Sequence, residues 1–219
     1  MRELVVIGGG AAGFYGAITA AELGVPEVLI LERGKEVLTK VRISGGGRCN
    51  VTHHCFEPRE LVESYPRGKK SLMGPFHRFQ ASDTIEWFES RGVELKVEDD
   101  GRMFPIMDSS QTIIDCLTTA AREAGVTWRT GCGVDNIQKE GELFKITTST
   151  GETITAKNIL VATGGVRTKP ARFPAENFEQ VLHPAVPSLF TFKINDPRLD
   201  GLAGVSLSLI HISEPTRPY

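Results

Sequence analysis

Three glycines near the N-terminus have the spacing of a nucleotide-binding turn. Gly8, Gly10 and Gly13 form the pattern G-x-G-x-x-G directly after an apolar run that ends at Ile7, and Glu32 closes the next apolar run. In such turns the first glycine permits a tight turn, the second lets backbone amides approach a pyrophosphate, and the third lets the helix pack closely on the strand. A carboxylate at position 32 would accept hydrogen bonds from a ribose 2′-hydroxyl and repel a 2′-phosphate. The motif predicts a dinucleotide site, and a nucleotide-free βαβ unit is the alternative.

A second motif, Ala162–Gly165 (Ala-Thr-Gly-Gly), indicates which dinucleotide is bound. It ends an apolar run and follows three short predicted strands, Val134–Lys139, Leu143–Thr148 and Glu152–Ala156. A strand that ends in small residues after such a β-meander resembles the second motif of flavoproteins of the glutathione-reductase type, where the chain passes close to FAD. A domain that binds only NAD would be expected to continue with further βα units. FAD is therefore favoured over NAD.

The stretch Lys40–Thr52 contains three consecutive glycines, Gly45–Gly47, between Ser44 and Arg48. Glycines in this number would let backbone N–H groups approach a flat or anionic ligand without obstruction. The segment from Ser44 onward to residue 50 is predicted to lie along the isoalloxazine ring, and a flexible surface loop is the alternative. Arg48 would either stabilise negative charge on the reduced ring or form a fork to a carboxylate, and both roles remain open.

The basic side chains and the cysteine of this stretch each have two possible roles. Lys40 and Arg42 would either contact a phosphate or ribose group or point into solvent. Cys49 is expected to have a packing role rather than to act as a redox thiol, because no second cysteine lies at a spacing typical of a resolving partner. Cys116 is expected to lie in the core on an apolar helix face.

Four motifs occur in an order that resembles a known family. They are Ser44–Thr52 (Ser-Gly-Gly-Gly-Arg-Cys-Asn-Val-Thr), Gly101–Pro105 with Ser109 beyond it, Val161–Gly165, and Val186–Phe192. Together they are similar to the BaiN-like, or aminoacetone-oxidase-like, family of FAD-dependent flavoproteins, over residues 1 to about 206. The predicted cofactor contacts are Gly8, Gly10, Ala11, Ala12, Gly13, Glu32, Arg33, Lys40, Ser44, Gly45, Gly46, Gly47, Arg48, Cys49, Asn50, Val134, Ala162, Thr163, Gly164 and Gly165.

The resemblance implies an α/β fold with a Rossmann-like FAD-binding domain of glutathione-reductase type and a β-meander, truncated before an inserted β-rich domain is complete. The FAD-binding domain is expected over residues 1–168 and the start of the inserted domain over 169–206. Residues 207–219 resemble the translation of a sequencing adapter, and a natural polar tail is the alternative. These 219 residues alone are expected to be inactive and marginally stable, with an exposed apolar edge around Leu189–Ile194.

The elements between the motifs follow from periodicity and turn residues. A non-periodic stretch from Gly34 to about Pro75 is predicted to be a functional loop. Ser82 is predicted to cap a helix over Asp83–Arg91, and a second helix is predicted over Gln111–Ala124. Further strands are predicted at Val93–Val97, Arg102–Phe104 and Val126–Arg129.

Composition limits the possible partners and location. The net charge is −2 and the sequence pI about 6.2, so no overall excess of positive charge favours nucleic acid or anionic lipid. The sequence shows no signal peptide and no apolar run long enough to cross a bilayer, which favours the cytoplasm. Four cysteines without C-x-x-C spacing and scattered histidines predict no metal site.

Three function classes are compatible with these motifs. An FAD-dependent oxidoreductase acting on a small organic substrate, linked to NAD(P)H or to oxygen, is favoured. A Rossmann dehydrogenase that uses NAD and a flavin-binding module without catalysis are the alternatives. The sequence identifies no catalytic acid or base, and it predicts neither the substrate nor the oligomeric state. With a single G-x-G-x-x-G, any nicotinamide donor would dock transiently or on another part of the protein.

Overall fold

The computed structural model describes residues 1–165 and, beyond them, only Phe178, Val181 and Pro197. All elements described below belong to one compact unit, Met1–His183. The predicted segments 169–206 and 207–219, with the apolar stretch Leu189–Ile194, lie outside the described residues apart from those single positions.

The elements are those of an α/β domain with a second, smaller sheet. In chain order they are β1 (Arg2–Ile7), α1 (Ala11–Glu22), β2 (Val28–Leu31), α2 (Thr39–Ile43), β3 (Thr52–His53), α3 (Pro58–Leu61), α4 (Lys69–Phe76), α5 (Ala81–Glu89), β4 (Leu95–Val97), β5 (Arg102–Pro105), α6 (Ser110–Glu123), β6 (Thr127–Arg129), β7 (Val134–Glu140), β8 (Leu143–Thr148) and β9 (Thr153–Val161). Short 3₁₀ turns cover Ser44–Gly47 and Val62–Ser64.

The main sheet has six strands in the order β6-β2-β1-β9-β8-β7. Strand β1 lies in the middle and pairs in parallel with β2 and β9, so its second half, from Val5 to Ile7, is buried on both faces. Val6 packs with Phe14 and Ile18 of α1 in one core cluster. Val5 belongs to a second cluster with residues of β7 and β8, including Ile137. The two clusters hold β1 rigidly, and the glycine turn continues directly from its end.

Strand β9 differs from its prediction in a way that explains the site. The third meander strand and the apolar run before Ala162 form one continuous strand rather than two. Its first half pairs antiparallel with β8, and from Ala156 onward it pairs in parallel with β1, with Val161 opposite Ile7. The carboxyl ends of β1 and β9 therefore meet at one edge of the sheet, where ligands of such folds bind.

Two further predictions are corrected by the structure. The stretch predicted as a long loop contains α2, α3, most of α4 and strand β3, because its short helices were too brief for periodicity to show. Helix α5 is capped by Gln80 instead of Ser82. The amide of Gln80 donates to Oδ2 of Asp83, the third residue of the helix, at 2.7 Å. Helix α6 matches its prediction within one residue at each end and is capped by Ser109, whose hydroxyl accepts from the amide of Gln111.

We expect Gly13→Ala to lower the free energy of unfolding by about 3 kcal/mol or more, because a Cβ there would lie 1.9 Å from the backbone oxygen of Gly8. Gly16→Ala in the same helix is the control. Its Cβ would meet only the end of the Leu160 side chain, at 2.6 Å, and alanine favours the helix by about 1 kcal/mol. Urea denaturation of both variants measures the difference, and equal stabilities would contradict the close packing of α1 on β1.

Candidate cofactor-binding site

The three glycines of the G-x-G-x-x-G motif have different structural roles. Gly8 has φ +113°, and a Cβ on it would lie 2.4 Å from the backbone oxygen of Ala162 at the end of β9. Gly13 is excluded from carrying a side chain by the carbonyl of Gly8. Around Gly10, in contrast, no described atom other than those of its chain neighbours and its own helix lies within 4 Å of the position that a Cβ would take. Gly8 and Gly13 thus hold the turn together, while Gly10 leaves its outer face open to a ligand.

The N-terminus of α1 is free to bind an anion. Gly10 is the N-cap residue and provides no side-chain hydrogen bond, and no acidic residue lies in the first turn. The first amides of a helix lack partners within the helix and lie at the positive end of its dipole. Phosphate groups commonly bind at such ends.

Glu32 organises the turn from the end of β2. Its Oε2 accepts a hydrogen bond from the amide of Gly9 at 2.7 Å, and its Oε1 accepts one from the amide of Gly34 at 2.6 Å. The sequence pattern suggested only the ribose contact. Each carboxylate oxygen has a second acceptor position, so this bracing role and a ribose contact are compatible.

A cavity of about 900 Å³ opens at this edge of the sheet. It is large enough for an extended cofactor, since pockets for small ligands measure roughly 300–1,000 Å³. The predicted residues that line it are Gly8, Gly10, Ala11, Ala12, Glu32, Lys40, Ser44, Cys49, Asn50, Ala162, Thr163 and Gly164. The amide of Ala162 donates to the carbonyl of Ile7 at 2.8 Å, which fixes the second motif beside the first.

The loop of three glycines borders the cavity only at its two ends. Its two ends line the cavity, through Ser44 on one side and Cys49 with Asn50 on the other. The glycines between them do not, and Gly45 packs against the ring of Phe104 instead. That the segment from Ser44 to Asn50 lies along the isoalloxazine ring stays a prediction.

Arg48 forms the fork to carboxylates that was one of its two open roles. Its guanidinium contacts both carboxylate oxygens of Glu98 and lies 3.5 Å from Oδ1 of Asp108. The same group lies 4.0 Å from the ring centroid of Phe104. Arg48 is not among the residues that line the cavity.

Arg33, Val134 and Gly165 also lie off the cavity lining. The guanidinium of Arg33 donates to the carbonyl of Val134 at 3.0 Å and lies 3.3 Å from Asp135. The side chain of Val134 is in the core, with 4% of the residue exposed. These contacts tie the end of β2 to the start of β7, so the structure gives both residues a bracing role.

The cavity also has an apolar side that the sequence did not reveal. It is lined by Tyr15, Val41, Val51, Phe79, Phe88, Ile113 and Leu117. Burial raises the pKa of Tyr15, whose ring lies 5.4 Å from that of Phe79 between centroids. These residues come from four separate segments, and no local pattern marks them as neighbours.

The cysteines behave as structural residues. All four are free, and burial raises the pKa of the Cys49 and Cys116 thiols, which opposes thiolate formation. Packing of Cys49 is thus favoured, as predicted, although it borders the cavity. In the part of the chain that the structure describes, no cluster of side chains could hold a metal ion.

A family model described as the HI0933-like protein Rossmann domain matches residues 2–171. The chain belongs to the HI0933-like family. This membership confirms the predicted family resemblance, the Rossmann-type α/β fold and FAD as the cofactor. The roles of individual cofactor contacts, and the domain boundaries, stay predictions.

Curated relatives are similar along nearly the whole chain. The ribosomal RNA dihydrouridine synthase of Escherichia coli is 29% identical over 97% of this chain and 54% of its own length. The 3-dehydro-bile acid delta(4,6)-reductase of Clostridium scindens is 27% identical over 94% of this chain and 51% of its own length. The ribosomal RNA dihydrouridine synthase of Haemophilus influenzae is 28% identical, with 94% and 53% covered. The chain spans about half the length of these relatives.

Location and partners are defined only in part. Among the described residues, no helix has the length and apolar character needed to cross a membrane. The cytoplasmic location and the absence of nucleic-acid and membrane partners stay predictions.

We expect Glu32→Gln to lower the free energy of unfolding by about 1–3 kcal/mol even without cofactor, because an amide has one acceptor oxygen where the carboxylate has two. Glu36→Gln in the same loop is exposed and should stay within about 0.5 kcal/mol of the wild type. Thermal or urea unfolding of the apoprotein compares them. If Glu32→Gln were as stable as Glu36→Gln, the hydrogen bonds from the amides of Gly9 and Gly34 to Glu32 would not stabilise the fold.

Proposed function

We propose that this chain forms the FAD-binding part of a flavin-dependent oxidoreductase that reduces an unsaturated organic ring. One observation carries the cofactor half of the proposal: the uncapped N-terminus of α1, with its open Gly10, lies on the same cavity as Glu32. When bound, FAD supplies the two-electron redox chemistry. The protein binds, orients and shields it.

The residues along the cavity match the successive parts of an FAD molecule. The amides at Gly10, Ala11 and Ala12 would hold the pyrophosphate, and the free acceptor positions of Glu32 would hold the adenosine ribose. Ser44, Cys49 and Asn50 would border the flavin side. An FMN cofactor lacks the adenylate half that Glu32 and the glycine turn address.

Lys40 adds a second positive group to the phosphate region. It lines the cavity, and its Nζ lies 3.1 Å from the position that a Cβ on Gly164 would take. It forms no ion pair with any residue among those described. A cation with no ion pair among the described residues, on the same cavity as an uncapped helix terminus, favours a ligand with two or more negative charges.

The reductive direction is supported by the names of the relatives. They describe a dihydrouridine synthase and a delta(4,6)-reductase. Both names denote reduction of a double bond in a ring, so the shared substrate chemistry is a ring double bond conjugated to a carbonyl group. Such a ring occurs both in free steroids and in the uracil bases of RNA. The net charge of −2 gives no overall attraction to RNA and is compatible with a small substrate.

The cofactor prediction is tested with the full-length gene product. We expect a yellow protein whose heat-released chromophore runs as FAD in chromatography. Lys40→Met should weaken FAD affinity about five- to tenfold at low salt, and less at high salt because the charge is exposed. Lys35→Met, an exposed neighbour, is the control. Release of FMN, or equal FAD affinities in both variants, would contradict this arrangement.

The reaction is tested by reduction of the bound flavin under anaerobic conditions. We expect NADH or NADPH to bleach the flavin, and a cyclic enone or a uridine-containing RNA to restore its colour. The small enone and the RNA distinguish the two sources of the ring. Reoxidation by oxygen alone would favour an oxidase, and a flavin that no donor reduces would favour the binding module without catalysis.

A further inference from the structure

The glycine loop is held from behind by a contact that the sequence motif does not show. The ring of Phe104 in β5 is completely buried. A Cβ on Gly45 would lie 2.7 Å from its Cε1 atom, and the guanidinium of Arg48 lies 4.0 Å from its centroid. Gly45 and Arg48, near the two ends of the Ser44–Gly47 turn, therefore both pack against the Phe104 ring. Gly45 has φ +56°, so a side chain there is opposed by the backbone as well as by the ring.

Ion pairs fix the orientation of Arg48 on this ring. Glu98, just beyond β4, accepts from both terminal nitrogens of Arg48, and Asp108 is shared between Arg48 and Lys96. Arg102 of β5 also lies 3.6 Å from the Glu98 carboxylate. The hydrogen bond to Glu98 raises the pKa of Arg48, and Lys96 lowers that of Asp108. The Arg48 side chain is about one-third exposed, and these partners turn it towards the small sheet.

Backbone hydrogen bonds connect this anchored turn to the residues that line the cavity. The amide of Cys49 donates to the carbonyl of Ser44 at 3.0 Å, so the two ends of the loop are joined. The amide of Val51 then donates to Met103 at 2.9 Å, which attaches the chain after the loop to β5. Cys49 has φ +64°, an uncommon conformation for a residue with a side chain, and the surrounding contacts must maintain it.

We propose that Arg48 is a positioning residue: by stacking on Phe104 and pairing with Glu98, it holds Ser44, Cys49 and Asn50 against the cofactor without contacting the cofactor itself. The inference rests on the proposed function, since it assigns this wall of the cavity to the flavin. It also separates two roles that the sequence left open. A group that touches the reduced ring would act through its charge, whereas a positioning residue acts through its geometry.

The test compares Arg48→Ala, Arg48→Lys, Glu98→Gln and the double variant Arg48→Ala/Glu98→Gln in the full-length flavoprotein. We expect Arg48→Ala and Glu98→Gln each to weaken FAD affinity about tenfold, the size of one lost hydrogen bond to a charged group. The double variant should be no more than about twofold weaker than either single one, because both break the same unit. Arg48→Lys should not restore affinity, since an ammonium cannot reproduce the planar fork.

Arg91 provides a matched control. Its guanidinium also lies 4.0 Å from an aromatic centroid, that of Trp87, and pairs with Glu22 at 2.6 Å, away from the glycine loop. Arg91→Ala should leave FAD affinity within about twofold of wild type even if it lowers the melting temperature. An equal loss of affinity in Arg91→Ala would overturn the positioning role, because the effect would then be general destabilisation.

Two readouts distinguish positioning from direct contact. Amide hydrogen exchange of residues 44–50 in the apoprotein should accelerate in both Arg48→Ala and Glu98→Gln. The proposal is overturned if Glu98→Gln keeps wild-type exchange and FAD affinity, even where Arg48→Ala does not fold. It is also overturned if Arg48→Ala shifts the flavin midpoint potential and Arg48→Lys returns it to the wild-type value, since the charge alone would then account for the effect. A wild-type protein without FAD but with accelerated exchange in the variants would refute the proposed function and leave the contact itself intact.

Discussion

The exclusion of side chains at Gly8 and Gly13 is the constraint on which the site depends. These two positions let β1, β9 and α1 approach until backbone atoms touch, at the edge where β1 and β9 both end. The same approach places the first residues of α1, which have no side-chain cap, on the lining of the cavity. A side chain at either glycine would separate the strand from the helix, and the anion-binding terminus would lose its place beside the second motif.

Around this turn the protein uses side chains mostly to brace backbone. Glu32 connects two loop amides, Arg33 connects β2 to β7, and Arg48 connects the glycine loop to the small sheet. Each of these charged side chains makes at least one contact with a group more than twenty residues away in the sequence. Lys40 is the contrasting case, because it lines the cavity and has no ion-pair partner among the described residues. This division separates residues that build the cavity from those available to a ligand.

Periodicity and turn chemistry anticipated much of the fold. Helix α6 was predicted to within a residue at each end, because its apolar stripe and the Gly125 stop are both local signals. The prediction failed where the decisive partner is not local. Strand β9 is continuous because its first half pairs with β8 and its second half with β1. Short helices between Gly34 and Pro75 carry too few turns to show a period.

The sequence by itself determined the nucleotide-binding turn, the kind of cofactor and the family, because glycine spacing and motif order record where the backbone must approach a ligand. Tertiary structure alone decided which residues line the cavity. Arg48 and Glu98 are fifty residues apart and meet only because β4 and β5 fold behind the glycine loop. The apolar wall around Phe79 and Leu117 arises in the same way, from segments joined by packing. Contacts of this kind depend on three-dimensional proximity, which local residue patterns do not encode.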